Sequence, residues 1–173
     1  MHNTQTTTPK IYVACLAAYN NGILHGQWIE VNQEAGAIQA EIQDMLAQSP
    51  IANAEEWAIH DYEGFCGMRI AEYEDIAKVA EMAALIREHG EAWARYAEHV
   101  GMDYATEEGF KEAYQGQWDS EEAFAENLAE ETMNIPEHLQ YYIDYEKLAR
   151  DLFINDYFSA EGEGYKVYVF SRH

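Results

Sequence analysis

Negative charge is the feature that most constrains this chain. Its 173 residues hold 32 Asp and Glu against 10 Lys and Arg, a formal net charge of -22 with His neutral. Self-repulsion of that size destabilises a compact state, and acidity with few aromatics is the composition of a disordered chain. The aromatics argue the other way: 4 Trp, 13 Tyr and 6 Phe, in a chain that is 48% hydrophobic with 3 Pro. The chain has enough apolar material to bury, so it is expected to fold and carry its charge outside. Halophilic adaptation and plain solubility give the same total, so the placement of the acids has to decide between explanations.

Charge also narrows the partners. Anionic lipid surfaces and nucleic acid both repel such a protein, since their binders are typically basic. The expected partner is basic, and enzymes that handle DNA are the largest class with basic surfaces. The two cysteines, Cys15 and Cys66, stand far apart without metal-ligand spacing. Together with the lack of a secretory leader pattern, this reads as a reducing cytosol and a cytoplasmic location. No apolar run approaches the ~18 residues of a membrane span.

Residues 1–9, MHNTQTTTP, read as a polar disordered tail. KIYVACLAAY (10–19) and HGQWIEV (25–31) read as strands separated by a turn at Asn20, Asn21 and Gly22. Ile38, Ile42, Met45 and Leu46 recur at helical spacing in 34–48, and EEWAIHDYEGF (55–65) holds a third short strand. The pattern then turns helical. The 72–90 stretch has the stripe Ile76, Val79, Ala80, Ala83 and Ile86, with Gly90 as a terminator. Helices follow at 91–101, with Trp93, Tyr96, Ala97 and Val100 inside, and at 106–116, with Thr106 as cap. The 118–131 helix is read with a capping box of Asp119 and Glu122, and with Phe124 and Leu128 inward. IPEHLQYY (135–142) bridges to an amphipathic helix at 143–156 whose inner residues are Leu148, Leu152 and Phe153. GYKVYVF (164–170) is a strand whose sheet partners are the N-terminal strands or short strands not visible in the pattern.

The acids lie on these elements and not in a tail. None occurs before Glu30; residues 30–108 carry 18 acids and 4 bases, and residues 112–163 carry 14 acids and 2 bases. Glu122, Glu126 and Glu130 stand four apart on one helix. Like charges at that spacing oppose each other by a few tenths of a kcal/mol per pair, so stability alone would put a Lys in the row. Four residues rise about 6 Å along a helix, an interval of the order of phosphate spacing along a DNA strand. A solvated polar face is the plainer reading of the same row. The few bases read as local i,i+4 pairs, Glu146 with Arg150 and Lys147 with Asp151.

Other chemistry finds little support. With so many acids, carboxylate pairs of the kind glycosidases use arise by chance. His60, Asp61 and Glu63 are conceivable metal ligands, but no HExxH or EF-hand loop occurs; His60 reads better as a structural residue beside Trp57 and Tyr62. No GxGxxG, Walker loop or GxSxG is present, and Cys15 on an apolar strand reads as core. No cofactor, metal or catalytic residue is assigned. Tyr141, Tyr142, Tyr145 and Tyr157 are read equally as core or interface.

The blocks IYVACLAAYNNGILHGQWIEV (11–31), EEWAIHDYEGF (55–65), YQGQWDSEEAFAENLAEE (114–131), IDYEKLARDLFINDYF (143–158) and YVF (168–170) resemble the ArdA antirestriction family. The resemblance spans roughly 10–172. It implies an α+β protein, elongated and curved, of three small domains in a row. These map to 10–68 (α/β), 69–105 (a central helical bundle) and 106–172 (α/β, with the antirestriction motif region at about 128–146). It further implies a homodimer with an acidic surface imitating bent B-form DNA. Such a dimer occupies the DNA-binding groove of type I restriction–modification enzymes between specificity and modification subunits. It protects mobile genetic elements without catalysing any reaction or binding nucleic acid. The acids expected on the partner-facing surface are Glu72, Glu74, Asp75, Glu81, Glu88, Asp119, Glu121, Glu122, Glu126, Glu130, Glu131, Glu137, Asp144, Glu146 and Asp151. Tyr141, Tyr142 and Tyr145 are the candidates for the dimer interface. The alternative is a generic acidic adaptor for basic DNA-associated proteins.

Overall fold

The structure, a computed structural model, describes residues 7–173. It divides into two compact units, one ending at Gly90 and one beginning at Glu91. The border falls inside the segment 69–105, so the two long helices of that segment belong to different units.

The first unit is a three-stranded antiparallel sheet covered by helices. Strands β1 (Lys10–Cys15), β2 (Gly26–Glu30) and β3 (Trp57–Glu63) run in the order β2-β1-β3. Alternation sends Ile11 and Val13 to one face, where both are fully buried with Ile29. The short helix α1 (Leu16–Asn20) leads into the turn at Asn21 and Gly22. Helix α2 (Ala35–Ala47) supplies Ile38, Ile42, Met45 and Leu46 to the same core, and helix α3 (Ile76–His89) packs on α2. The register between β1 and β3 shifts between Tyr12 and Val13, which pair with Asp61 and Ile59. His60 is therefore the bulged residue, exposed, with its ring edge-on to Tyr19 at 4.9 Å. Helix α3 begins at Ile76 and not at 72, because the Asp75 side chain accepts from Ala77 N (2.7 Å) and Lys78 N (3.4 Å) in an extended cap conformation.

The second unit repeats the sheet-and-helix plan around aromatic residues. Helices α4 (Glu91–Val100) and α5 (Glu107–Ala113) precede β4 (Tyr114–Trp118); α6 (Glu121–Thr132), a 3-10 turn at Glu137–Tyr142 and α7 (Tyr145–Asn155) follow. Strands β5 (Tyr157–Glu161) and β6 (Val167–Ser171) complete an antiparallel sheet of order β4-β6-β5. Phe170 on the central strand meets Phe158 at 4.9 Å, Tyr114 at 5.5 Å and Tyr96 at 5.6 Å between centroids, and Trp93 meets Phe110 at 5.8 Å. Such pairs contribute about 0.5–1.5 kcal/mol beyond their area.

Several expectations are corrected here. Residues 114–116 are strand, not the end of a helix: α5 stops at Ala113, and Tyr114 pairs with Phe170. The helix at 121–132 is capped by Ser120, whose Oγ accepts from Ala123 N at 3.0 Å, so Asp119 and Glu122 form no capping box. Leu148, Leu152 and Phe153 are only half-buried, and Ala149 is the one buried residue of α7. Of the two alternatives left open for the C-terminal strand, the short strands not visible in the pattern hold: it pairs with β4 and β5 and not with the N-terminal strands. Of the expected tail, residues 1–6 lie outside the described residues, but Pro9 is buried and its carbonyl accepts from Val31 N at 3.0 Å.

Candidate functional site

Among the described residues no polar or charged residue is buried, and this includes all 32 acids, the first being Glu30. The charge is shared unevenly. Residues up to Gly90 carry 13 acids and 4 bases; residues from Glu91 carry 19 acids and 6 bases.

Helix α6 concentrates the difference. Phe124, Ala125 and Ala129 are buried, which turns Glu122, Glu126 and Glu130 to the exposed face with Glu131 beside them. None of the four is ion-paired among the described residues, and no Lys or Arg occurs between Lys111 and Lys147. Glu121 and Glu122 suit the positive end of the helix dipole, but Glu130 and Glu131 sit at its negative end with no base in the last turn. An anion there opposes the helix by roughly 0.3–1 kcal/mol. The helix therefore carries two local costs, the i,i+4 repulsion and the unfavourable terminus, that a solubility-tuned surface has no need to accept. The 3-10 turn and α7 continue the exposed acids with Glu137, Asp144, Glu146 and Asp151.

The remaining expected acids divide by what they touch. Asp75 and Asp144 are helix caps, Asp144 accepting from Lys147 N at 3.0 Å. Glu121 accepts from Ser159 Oγ at 2.6 Å across to β5. Glu74 pairs with Lys78 (3.7 Å), Asp119 with Lys166 (3.5 Å) and Glu146 with Arg150 (3.6 Å), while Glu72 lies 3.7 Å from His60. The expected pair Lys147–Asp151 does not form among the described residues. Glu81, Glu88, Glu122, Glu126, Glu130, Glu131, Glu137 and Asp151 are exposed without an ion pair among the described residues. His60, Asp61 and Glu63 do not converge as a ligand group; Glu63 binds Lys10 at 2.6 Å.

Sequence reading missed Glu91. Its Oε2 accepts from Tyr168 Oη at 3.1 Å and from Glu163 N at 3.2 Å, and its Oε1 from Arg95 Nη2 at 3.1 Å. Burial, the Glu91 charge and this hydrogen bond push the Tyr168 hydroxyl above its ordinary range. The i,i+4 spacing to Arg95 was the one local signal; Tyr168 and Glu163 stand more than seventy residues away and left none. Sequence reading also left out the outer face of the first sheet, where Glu30 and Glu63 flank Lys10 in register. Period-two alternation of the strands was the available signal.

Tyr141 and Tyr142 are 94% and 84% exposed, and Tyr145 is half-buried. Glu126, Glu130, Met133, Ile135, Tyr141, Ile143 and Tyr145 line an open groove of about 600 Å³.

No curated protein matches the chain. The sequence model of one family, described as antirestriction protein (ArdA), matches residues 11–167. That match covers nearly the whole sequence, and the chain belongs to the ArdA family of non-enzymatic antirestriction proteins.

Proposed function

We propose that this protein inhibits type I restriction–modification enzymes by presenting carboxylates where DNA would present phosphates. It occupies the DNA-binding groove between specificity and modification subunits in the cytoplasm and blocks both restriction and modification. The observation that carries the reading is the exposed, uncompensated row Glu122, Glu126 and Glu130 on α6, held against the helix's own electrostatic preference. The absence of any buried acid among the described residues supports it, since a mimic acts through charges at its surface. The reading includes the family's row of three parts at 10–68, 69–105 and 106–172. It includes a homodimer contacting through Tyr141, Tyr142 and Tyr145; the exposed rings of the first two suit the centre of an interface. A dimer bears about 44 negative charges, those of roughly 75 Å of duplex.

The test is competition. The protein should displace a DNA duplex from a type I methyltransferase core at near-stoichiometric ratio, and added salt should weaken it by screening. Failure to compete at micromolar concentration and low salt ends the reading. Equal affinity for an isolated basic histone-like protein, without preference for the enzyme, favours the acidic adaptor instead.

A further inference from the structure

The first sheet has two faces, and the core uses one of them. Ile11, Val13 and Ile29 are buried on the inner face, on which α2 packs. Alternation sends Lys10 and Tyr12 of β1, Trp28 and Glu30 of β2, and Asp61 and Glu63 of β3 to the outer face. The register sets them side by side: Lys10 lies between Glu30 and Glu63, and Tyr12 between Trp28 and Asp61. Trp28 is 41% exposed, the three acids are exposed, and Lys10 and Tyr12 are half-buried.

The two rings are held in place. Tyr12 and Trp28 meet at 5.5 Å between centroids, inclined by 59°. A Cβ at Gly26 would stand 2.6 Å from both the Tyr12 hydroxyl and the Val13 carbonyl oxygen, so the glycine leaves room for the Tyr12 ring. A cross-strand ring pair stabilises a sheet by itself, but that role needs neither the exposed side of the indole nor the carboxylates around it. The protein's own cation shows what these groups can hold. Lys10 Nζ stands 5.1 Å from the Trp28 ring centroid and 2.6 Å from Glu63 Oε1. Ring and carboxylate together bind an ammonium. Glu30 and Asp61 have no ion pair among the described residues, which leaves them for another cation.

We propose that the outer face of the first sheet docks an arginine-bearing segment of a partner protein, with a guanidinium stacked on Trp28 and paired with Glu30. Arginine suits this face better than lysine, because its flat, weakly hydrated head stacks on an indole and grips a carboxylate with two N–H groups. Trp, Tyr and Arg are also the residues on which interface energy concentrates. That the partner is the restriction–modification enzyme rests on the mimicry reading; the chemistry of the face does not. Under that reading the rings offer a flat apolar surface beside negative groups, as bases do beside phosphates.

The test uses the full chain with its four tryptophans replaced by fluorotryptophan, read by fluorine NMR, the Trp28 signal being assigned by its loss in Trp28→Phe. The probes are a peptide of alternating Arg and Gly and its counterpart with Lys for Arg. The arginine peptide should shift the Trp28 signal more than the other three and bind at least threefold tighter than the lysine peptide. Glu30→Gln should weaken it at least threefold, whereas Asp44→Asn, an exposed acid on α2, should not. Lys10→Gln removes the internal competitor and should tighten binding at least threefold more than Arg87→Gln, which changes the charge equally. In displacing a duplex from a type I methyltransferase core, Trp28→Ala should lose at least tenfold and Trp28→Phe less. A Trp28 signal that stays in place while the arginine peptide binds overturns the proposal, and so does equal binding of the two peptides. A Trp28 signal that moves on dilution without peptide assigns the face to a second copy and overturns it too. If Trp28→Ala folds poorly, Glu30→Gln and Lys10→Gln still judge the face, because they leave the ring pair intact. If the parent chain displaces no duplex, the mimicry reading fails while the peptide titrations decide the proposal.

Discussion

Helix α3 ends with Arg87 in its last turn, the charge a helix C-terminus favours, beside Glu88 and His89, whereas α6 ends with Glu130 and Glu131 and no base at all. The two helices have similar lengths, but at the C-terminal end one carries a compensating base and the other carries none. Their surroundings differ in the same sense. The first unit buries aliphatic residues such as Ile11, Ile29, Ile38 and Ile42 at the centre of its sheet and helices. The second concentrates Trp93, Phe110, Phe158 and Phe170 around one strand, and leaves α7 with a single buried residue. The strongest acidity thus rides on a region whose outer helices are thinly packed. Stability in this region must come from the aromatic centre, because the surface contributes repulsion.

That comparison can be broken in several places. The largest expected effect is on the aromatic centre: Phe170→Ala should cost about 3–5 kcal/mol, measured by denaturant unfolding. A loss below that of Ile42→Ala would show that the second unit does not depend on its rings. Next comes the charge contrast. Replacing Glu122, Glu126 and Glu130 by Lys, which moves the net charge from -22 to -16, should weaken competition with a duplex on the order of 100-fold. The same change at Glu34, Glu81 and Glu88 should weaken it far less, and equal losses would remove the special standing of α6.

Leu148→Ala sharpens the picture of α7. Half-burial should limit its cost to about 1–2 kcal/mol, below the usual range for a core leucine. A full core penalty would mean that α7 is covered in solution, as by a second copy. Smaller still, Glu130→Lys alone should raise stability by roughly 0.3–1 kcal/mol by relieving both repulsion and the dipole, seen as a higher unfolding midpoint. The smallest effect is that of acid. Burial against Phe158 (3.7 Å, stacked) and the nearby Arg172 charge hold the His99 pKa below its ordinary value. The unfolded chain therefore takes up a proton first, so this contribution is complete above about pH 6.5 and declines as pH falls through the folded pKa. Melting curves from pH 7 to 5 should show a slope that His99→Gln flattens.

Much of the fold was legible where one residue pattern had one outcome. Ile38, Ile42, Met45 and Leu46 recur at helical spacing and all are buried; Lys10–Cys15 alternates into a strand. Legibility failed where neighbours offered equal choices. Asp119 and Ser120 are both good N-caps, and the chain geometry selected Ser120. Tyr114–Trp118 continues a helical-looking stretch, yet pairing with the C-terminal strand makes it a strand, with Gly116 at φ 102° in the register shift between Tyr114 and Gln117. Strand β5 was invisible because five residues with little alternation are a strand only when β6 lies beside them.

The sequence by itself determined the excess of acid, its restriction to residues after 29, the four-residue row on α6 and the family. Charge count and helical spacing are local properties, readable without knowing what packs against what. Tertiary structure decided which acids are left for a partner. It made caps of Asp75 and Asp144, tied Glu121 to Ser159, Asp119 to Lys166 and Glu91 to Tyr168, and left Glu122, Glu126 and Glu130 without an ion pair among the described residues. Those last three assignments bring together residues 38 to 77 positions apart through the β4-β6-β5 sheet and the helices on it. No pattern within a single element contains that information.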